Sequence, residues 1–387
     1  IPHSPPPMPR SLPIALIGQK FMGRAHSNGW GQAPRFFDLP MTPALAVACG
    51  RDGAELKAFA ARWGWARTTT DWRELADDDG VALVDIGTPN HLHAEPAIVM
   101  LEAGKHVACE KPLAGTLDDA RAMRDAARRA RGKTFVWFNY RRCPAVALAW
   151  QLLRAGRLGR IYHVRASYLQ DWGGAGTPMS WRFQKKTAGS GAHGDLNAHA
   201  VDLARFLLGE EIVEVHGAVS RTFIKERMVP GTRDKGRSDV DDAVLFSASF
   251  RSGAMASFEA TRLATGNQNA NRIEINGELG SLRWDFEAMN VLHFYDGTES
   301  RQTAGWRRIM ATAGDVHPYA TYWPDAHLLG YEHTFVSMAA DICRVLGGRK
   351  AEVPLPDFSD AFETQRVLEA AMRSARERAA VRIAEVT

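Results

Sequence analysis

Three short clusters carry residue types that could act on a hydroxyl group: Glu110-Lys111-Pro112, the pair Asp195 and His199 after Gly194, and Gly18-Gln19-Lys20-Phe21-Met22-Gly23. An ammonium such as that of Lys111 can stabilise a developing alkoxide. Asp195 and His199 are four residues apart, so on a helix they share a face. There His199 can accept a hydroxyl proton and Asp195 can bind a neighbouring hydroxyl. Together these groups suit oxidation of an alcohol whose carbon passes a hydride to a cofactor. Each also has an ordinary structural reading, as a surface charge or a local helix contact. Their joint order along the chain favours catalysis.

The hydride acceptor has its own signal. An apolar run at residues 14–17 leads into residues 18–23 and then a helix. Gly18 suits the tight turn and Gly23 the close helix packing of a dinucleotide fingerprint, with the helix N-terminus facing pyrophosphate. Lys20 replaces the middle glycine, where a cation could pair with phosphate or with an anionic substrate. Phe21 and Met22 share this turn. After the second expected strand comes Gly50-Arg51-Asp52. An acid at position 50 would bind the adenosine ribose of NAD, a glycine followed by arginine is more typical of NADP, and Asp52 stands two residues late, so NAD and NADP both stay open. Thr88, Pro89, Asn90 and His93 follow one strand, and Glu110 and Lys111 another, at the ends where an open α/β sheet places ligands.

The elements that must position these groups read as α/β. Expected strands at residues 14–17, 44–49, 82–86, 106–109 and 134–138 alternate with helices at 54–63, 94–103 and 117–130, the rhythm of a parallel Rossmann sheet. Glu110-Lys111-Pro112 then sits at a strand's carboxyl end, where open α/β sheets place ligands. After Tyr140 the rhythm changes. A helix at 145–155 precedes extended segments at 161–169, 213–222, 243–250, 253–261, 272–276 and 281–285, joined by glycine-containing turns. These predict an α+β domain with a mostly antiparallel sheet, on which late helices at 331–346 and 360–378 should pack. The expected division is a leader over residues 1–10 with Met8 as the start, a dinucleotide-binding domain over 11–140 and a substrate domain over 141–387. No fixed-period repeat interrupts it.

Substrate-side candidates are Tyr140, Arg141, Asp171, Trp172, Trp181, Arg182, Lys185 and His193, with Lys20. Indoles suit a pyranose face, while Arg and Asp suit its hydroxyls; core packing is the alternative for each tryptophan. Lys20, Arg141, Lys185 and Lys186 supply cations that would suit an anionic sugar. His91 and His93 lack a third ligand at metal spacing, so no metal is expected.

With Thr88-Pro89-Asn90-His91, Glu110-Lys111-Pro112 and Gly194-Asp195 with His199 in this order, the chain resembles the Gfo/Idh/MocA oxidoreductase family over essentially its whole folded length. Tyr168-Leu169-Gln170-Asp171-Trp172, Trp181-Arg182-Phe183-Gln184-Lys185 and Ala188-Gly189-Ser190-Gly191 are most similar to its pyranoside-oxidising branch. The resemblance implies a Lys111, Asp195 and His199 site that oxidises a secondary hydroxyl, C3 of a pyranose, with NAD or NADP lined by Thr88, Pro89, Asn90, His93, Glu110 and Lys111. It also implies a rival: transient C3 oxidation, elimination, hydration and re-reduction, as in the family's NAD-dependent sulfoquinovosidases. A third reading is a non-catalytic sugar or NAD sensor, against which Lys111 and His199 argue. A homo-oligomer, dimer or tetramer, is the corresponding expectation.

Composition excludes other classes. At 387 residues, 45% hydrophobic and 24% charged, the chain is too long for one ordinary core and too apolar to be disordered. The net charge of +4 is far from that of a dedicated nucleic-acid binder, and the basic run at 121–133 alternates with alanines as a solvated helix face does. No apolar run is long enough to span a bilayer and no signal peptide is evident, so a cytoplasmic location is expected. Cys49, Cys109, Cys143 and Cys343 are scattered, as buried free thiols are.

Overall fold

The computed structural model describes residues 10–387. The expected leader and its Met8 start lie outside the described residues, except that Arg10 already belongs to a strand. Six strands, β1 (Arg10–Ile17), β2 (Met41–Cys49), β3 (Arg67–Thr69), β4 (Leu83–Ile86), β5 (His106–Cys109) and β6 (Thr134–Val136), form an all-parallel sheet in the order β3-β2-β1-β4-β5-β6. The crossovers are made by α1 (Phe21–Phe36), α2 (Gly53–Trp63), α3 (Ala94–Glu102) and α4 (Leu117–Arg129). Ile14, Leu16, Val84, Ile86, Val107 and Ala108 are buried because helices cover both sheet faces. The order reverses between β1 and β4, which places a crevice beyond their carboxyl ends.

After α5 (Pro144–Arg154), β7 (Ile161–Leu169), α6 (Lys185–Ala188), α7 (Ala198–Leu208), β8 (Ile212–Arg221), β9 (Glu226–Met228), β10 (Lys235–Arg237), β11 (Ala243–Phe250), β12 (Met255–Thr261), β13 (Ala270–Gly277), β14 (Gly280–Asp285), β15 (Val291–Asp296), β16 (Trp306–Met310), α8 (Tyr331–Leu346), α9 (Phe358–Glu377) and β17 (Val381–Arg382) follow. Nine of these strands form one sheet, β16-β15-β14-β13-β7-β12-β11-β8-β17, antiparallel except that β7 and β12 run parallel. β9 and β10 make a separate hairpin. Burial alternates along β11 because only one face of the sheet is covered. The short, polar β3, the strand β15 and the edge strands β16 and β17 carry no clear period-two signal and are not among the expected strands. The strand expected at residues 134–138 stops at Val136, where the chain turns into the site.

The late helices do more than cover the second sheet. α8 packs on α1, with Phe335, Val336, Met338 and Ala339 in the same core as Leu12, Ile14 and Trp30. α9 reaches α4, where Arg124 lies 4.1 Å over the Phe362 ring. The last part of the chain therefore ties the two sheets together.

Arg141, expected at the substrate, belongs to this tie. Its side chain is 3% exposed and donates to Asp202 on α7 (2.9 Å) and Asp360 on α9 (2.6 Å), while Arg205 also reaches Asp360 (2.9 Å). A guanidinium shared by the buried Asp202 and the partly buried Asp360 is structural, and removing it strands the Asp202 charge while Asp360 keeps Arg205. Arg141→Ala is expected to lower stability by about 3 to 5 kcal/mol in denaturant unfolding while leaving cofactor affinity unchanged.

Candidate active site

The crevice beyond β1, β4 and β5 opens into a cavity of about 680 Å³ between the two sheets. Phe21, Met22, Thr88, Asn90, Glu110 and Lys111 face it from the parallel sheet. Tyr140, Tyr168, Gln170, Trp172, Trp181, Arg182, Asp195, His199 and Arg262 face it from the other side.

The turn entering α1 is built for close approach. Gly18 has φ +121°, and a side chain there would strike the carbonyl of Gly87 at 2.7 Å. A Cβ on Gly23 would lie 2.1 Å from the Gly18 carbonyl oxygen. The N-cap, Lys20, gives no side-chain cap, and the first turn of α1 carries no acid. The helix N-terminus is thus open to an anion, which fits the pyrophosphate of a dinucleotide.

Asp195 is the hub of the opposite wall. Its Oδ1 accepts from Lys111 Nζ at 2.7 Å and its Oδ2 from Arg262 Nη2 at 2.7 Å; Lys111 also donates to the Asp195 carbonyl at 3.0 Å. Burial alone would push the Asp195 carboxyl up, but Lys111 and Arg262 outweigh it and hold it well below the usual carboxylate range. The helix expected to carry Asp195 and His199 is locally wider than an α-helix: residues His193–Asn197 form a π turn running into α7. Such turns re-aim side chains at functional sites. His199 is 6% exposed, with its ring 4.5 Å from that of Tyr140. Burial, reinforced by the Lys111 charge, holds its imidazole well below the ordinary value against the pull of Asp195. It is neutral at pH 7, the form that accepts a proton.

Beneath the floor, His26 Nδ1 lies 3.1 Å from Asp85 and its Nε2 3.0 Å from Glu110 Oε1, while Glu110 Oε2 accepts from the Lys111 amide at 3.1 Å. On the second sheet's side, Tyr168 joins Tyr140 (2.8 Å) and Asn269 (2.7 Å), which also accepts from Gln170 at 2.9 Å.

The structure brings together Phe21, Met22, Thr88, Asn90, Glu110, Lys111, Tyr140, Trp172, Trp181, Arg182, Asp195 and His199. It does not bring several others. Lys20 is exposed and paired with Glu55. Arg51 is exposed, and the Asp52 carboxylate is occupied as the N-cap of α2, accepting from Ala54 and Glu55 amides. Pro89 caps the short turn over residues 90–92. His93 is enclosed, bonded to the carbonyls of Thr88 (2.9 Å), Pro112 and Leu113 (both 3.2 Å), so it ties two site loops to each other. Asp171 is exposed and accepts from the Gly266 amide, and Lys185 borders a separate small pocket. His193 is buried against the Leu368 carbonyl at 2.8 Å. Among the described residues no cluster of His, Cys, Asp or Glu could hold a metal.

The sequence carries no separate signal for Arg262 or Asn269, and Tyr168 and Gln170 stand out there only within a motif. Arg262 stands just beyond β12, whose parallel pairing with β7 sets it beside Gln170. Without that pairing, an arginine after a strand carries no signal.

The fold and site define a class, a dinucleotide-binding sheet joined to a second sheet with a lysine, an aspartate and a histidine between them. The chain belongs to the Gfo/Idh/MocA oxidoreductase family. Residues 12–138 match its NAD-binding Rossmann fold and residues 146–283 its C-terminal domain. It is 39% identical to levoglucosan dehydrogenase of Pseudarthrobacter phenanthrenivorans, over 98% of this chain and all of that one. Among solved structures, levoglucosan dehydrogenase in complex with NADH and levoglucosan superimposes with a TM-score of 0.92 at 40% identity, covering 97% of this chain and 100% of that one. An oxidoreductase domain protein from Kribbella flavida is 52% identical, with a TM-score of 0.93 over 97% of this chain and 99% of that one.

Two outcomes are expected. Arg262→Ala removes a charged hydrogen bond on Asp195 and lowers kcat/KM about 10- to 100-fold, read by steady-state kinetics. The profile of kcat/KM against pH stays flat through 6.5 on its acid side, because His199 loses its proton well below that value; an inflection at 6.5 that disappears in His199→Gln would show an imidazole titrating as it does in water.

Proposed function

We propose that the protein is an NAD-dependent dehydrogenase that oxidises a secondary hydroxyl, C3, of a pyranose or pyranoside. The observation that carries this reading is the Lys111–Asp195–Arg262 clamp, placed in one cavity with a neutral His199 and the open α1 turn. Its likeness to levoglucosan dehydrogenase supports the sugar class. We assign the cofactor to residues 11–140 and the substrate to residues 141–387.

NAD, held by the turn at Gly18 and Gly23 and by Thr88, Asn90 and Glu110, supplies the hydride acceptor. His199 accepts the proton of the reacting hydroxyl. Lys111 places an ammonium against the oxygen as negative charge develops, and Asp195 with Arg262 fixes its direction. Trp172 and Trp181 offer ring faces to the sugar, with Gln170 and Asn269 at its hydroxyls.

One observation favours a second reading. The Arg182 guanidinium lines the cavity, lies 4.5 Å over the Trp181 ring and makes no ion pair among the described residues. It suits an anionic group on the sugar. On such a glycoside, oxidation at C3 would acidify the C2 proton, the C1 group would leave, water would add at C1 and the retained NADH would restore the alcohol, leaving NAD unconsumed.

The working location on either reading is the cytoplasm, which keeps thiols such as the four buried free cysteines reduced. Self-association through the open face of the nine-stranded sheet is favoured by Val219 and Leu245, paired across β8 and β11 and nearly half exposed at 48% and 46%.

The test is to incubate the protein with NAD and a panel of neutral and anionic pyranoses and aryl glycosides, following NADH and aglycone together. The expected result is one NADH per sugar oxidised with no aglycone released, abolished in Lys111→Ala although that variant still binds NAD. Aglycone release that needs NAD but accumulates no NADH would establish the second reading, and neither signal would return weight to a sensor.

A further inference from the structure

His26 on α1 is wholly enclosed, and the proton and hydride chemistry above does not use it. Its two ring nitrogens meet two carboxylates, Asp85 on β4 at 3.1 Å and Glu110 beyond β5 at 3.0 Å. A neutral imidazole donates from one nitrogen only, so the other would set lone pair against carboxylate; the imidazolium donates to both. Burial alone would lower its pKa, but Asp85 and Glu110 outweigh that and push it up to about 9.

The chain is closed at its far end. Asp85 also accepts from the indoles of Trp30 (2.7 Å) and Trp137 (2.8 Å), donors that do not pass protons on at ordinary pH. Trp137 stacks on the imidazole at 4.2 Å and Phe335 of α8 lies 5.6 Å away, so the ionisable groups hydrogen-bonded to the ring are Asp85 and Glu110. Such an arrangement cannot relay a proton to solvent. It can fix a charge. At its open end Glu110 is 4% exposed on the cavity floor, with one oxygen held by His26 and the other by the Lys111 amide.

We propose that His26 is a positioning residue that bridges Asp85 to Glu110 and so holds Glu110 as a fixed anion under the nicotinamide. This rests on the reading that NAD occupies the cavity. An anion there favours the cationic oxidised ring over the neutral reduced one. Because the folded His26 pKa lies above 6.5, its contribution to stability is complete below 6.5 and is lost as pH rises through about 9.

The test measures the affinities of NAD and NADH by fluorescence titration in wild type, Glu110→Gln and His26→Gln. It also measures the protonation of His26 in the nucleotide-free wild type by nitrogen NMR of labelled histidine. Glu110→Gln is expected to weaken NAD relative to NADH about tenfold, His26→Gln to shift the ratio the same way because Glu110, left buried without its cation, takes up a proton, and the wild-type imidazole to carry both protons at pH 7. A ratio unchanged in both variants, with the two affinities falling together, would assign His26 a purely structural role and overturn the proposal. So would a singly protonated His26, a result that needs no variant to fold. Wild-type protein that binds neither nucleotide overturns the cofactor reading itself and the role with it, whereas binding with an unchanged ratio overturns this role alone.

Discussion

The site depends on one carboxylate held between two cations. Asp195 stands at the point where three distant stretches of chain meet: the end of β5 with Lys111, the π turn before α7, and the end of β12 with Arg262. Lys111 belongs to the parallel sheet and Arg262 to the other, so the carboxylate locks the two halves of the cavity together as it aims the ammonium. A partly buried carboxylate tolerates this position only because both oxygens are compensated. Burial, and then the Lys111 charge, keep His199 neutral against the pull of Asp195.

That clamp needs rigid walls. Helices α8 and α9 return from the end of the chain to pack on α1 and α4, and the Arg141, Asp202, Arg205 and Asp360 network ties α7 to α9 behind the site. His93 fixes the loops after β4 and β5 to each other through three carbonyls. Several ionisable residues near the cavity are therefore held by partners within the chain.

The sequence was most legible where a local pattern decides the outcome. The βα rhythm to residue 138, the Gly18 to Gly23 turn and the Lys111, Asp195 and His199 trio could be read because strand period, helix spacing and glycine geometry are properties of neighbouring residues. Roles set by distant partners were not legible. Arg141 and His193 look like site residues in sequence, yet Asp202, Asp360 and the Leu368 carbonyl claim them. Lys20 looks like a phosphate ligand in sequence, whereas the structure shows its exposed ammonium paired with Glu55. Arg262 was invisible because its meaning comes from a parallel pairing of β7 and β12 inside an otherwise antiparallel sheet. The same holds for His26, whose two carboxylates lie on strands far along the chain.

On the proposed function, hydride leaves C3 of a sugar as its hydroxyl is deprotonated in this cavity. The direct measurement is single-turnover NADH formation by the NAD-loaded enzyme with a pyranose that it oxidises, deuterated in turn at C2, C3 or C4. Slowing is expected for the C3 label alone, with the deuterium recovered on the reduced cofactor. Equal rates for all three labels, or slowing and transfer from another carbon, would contradict it.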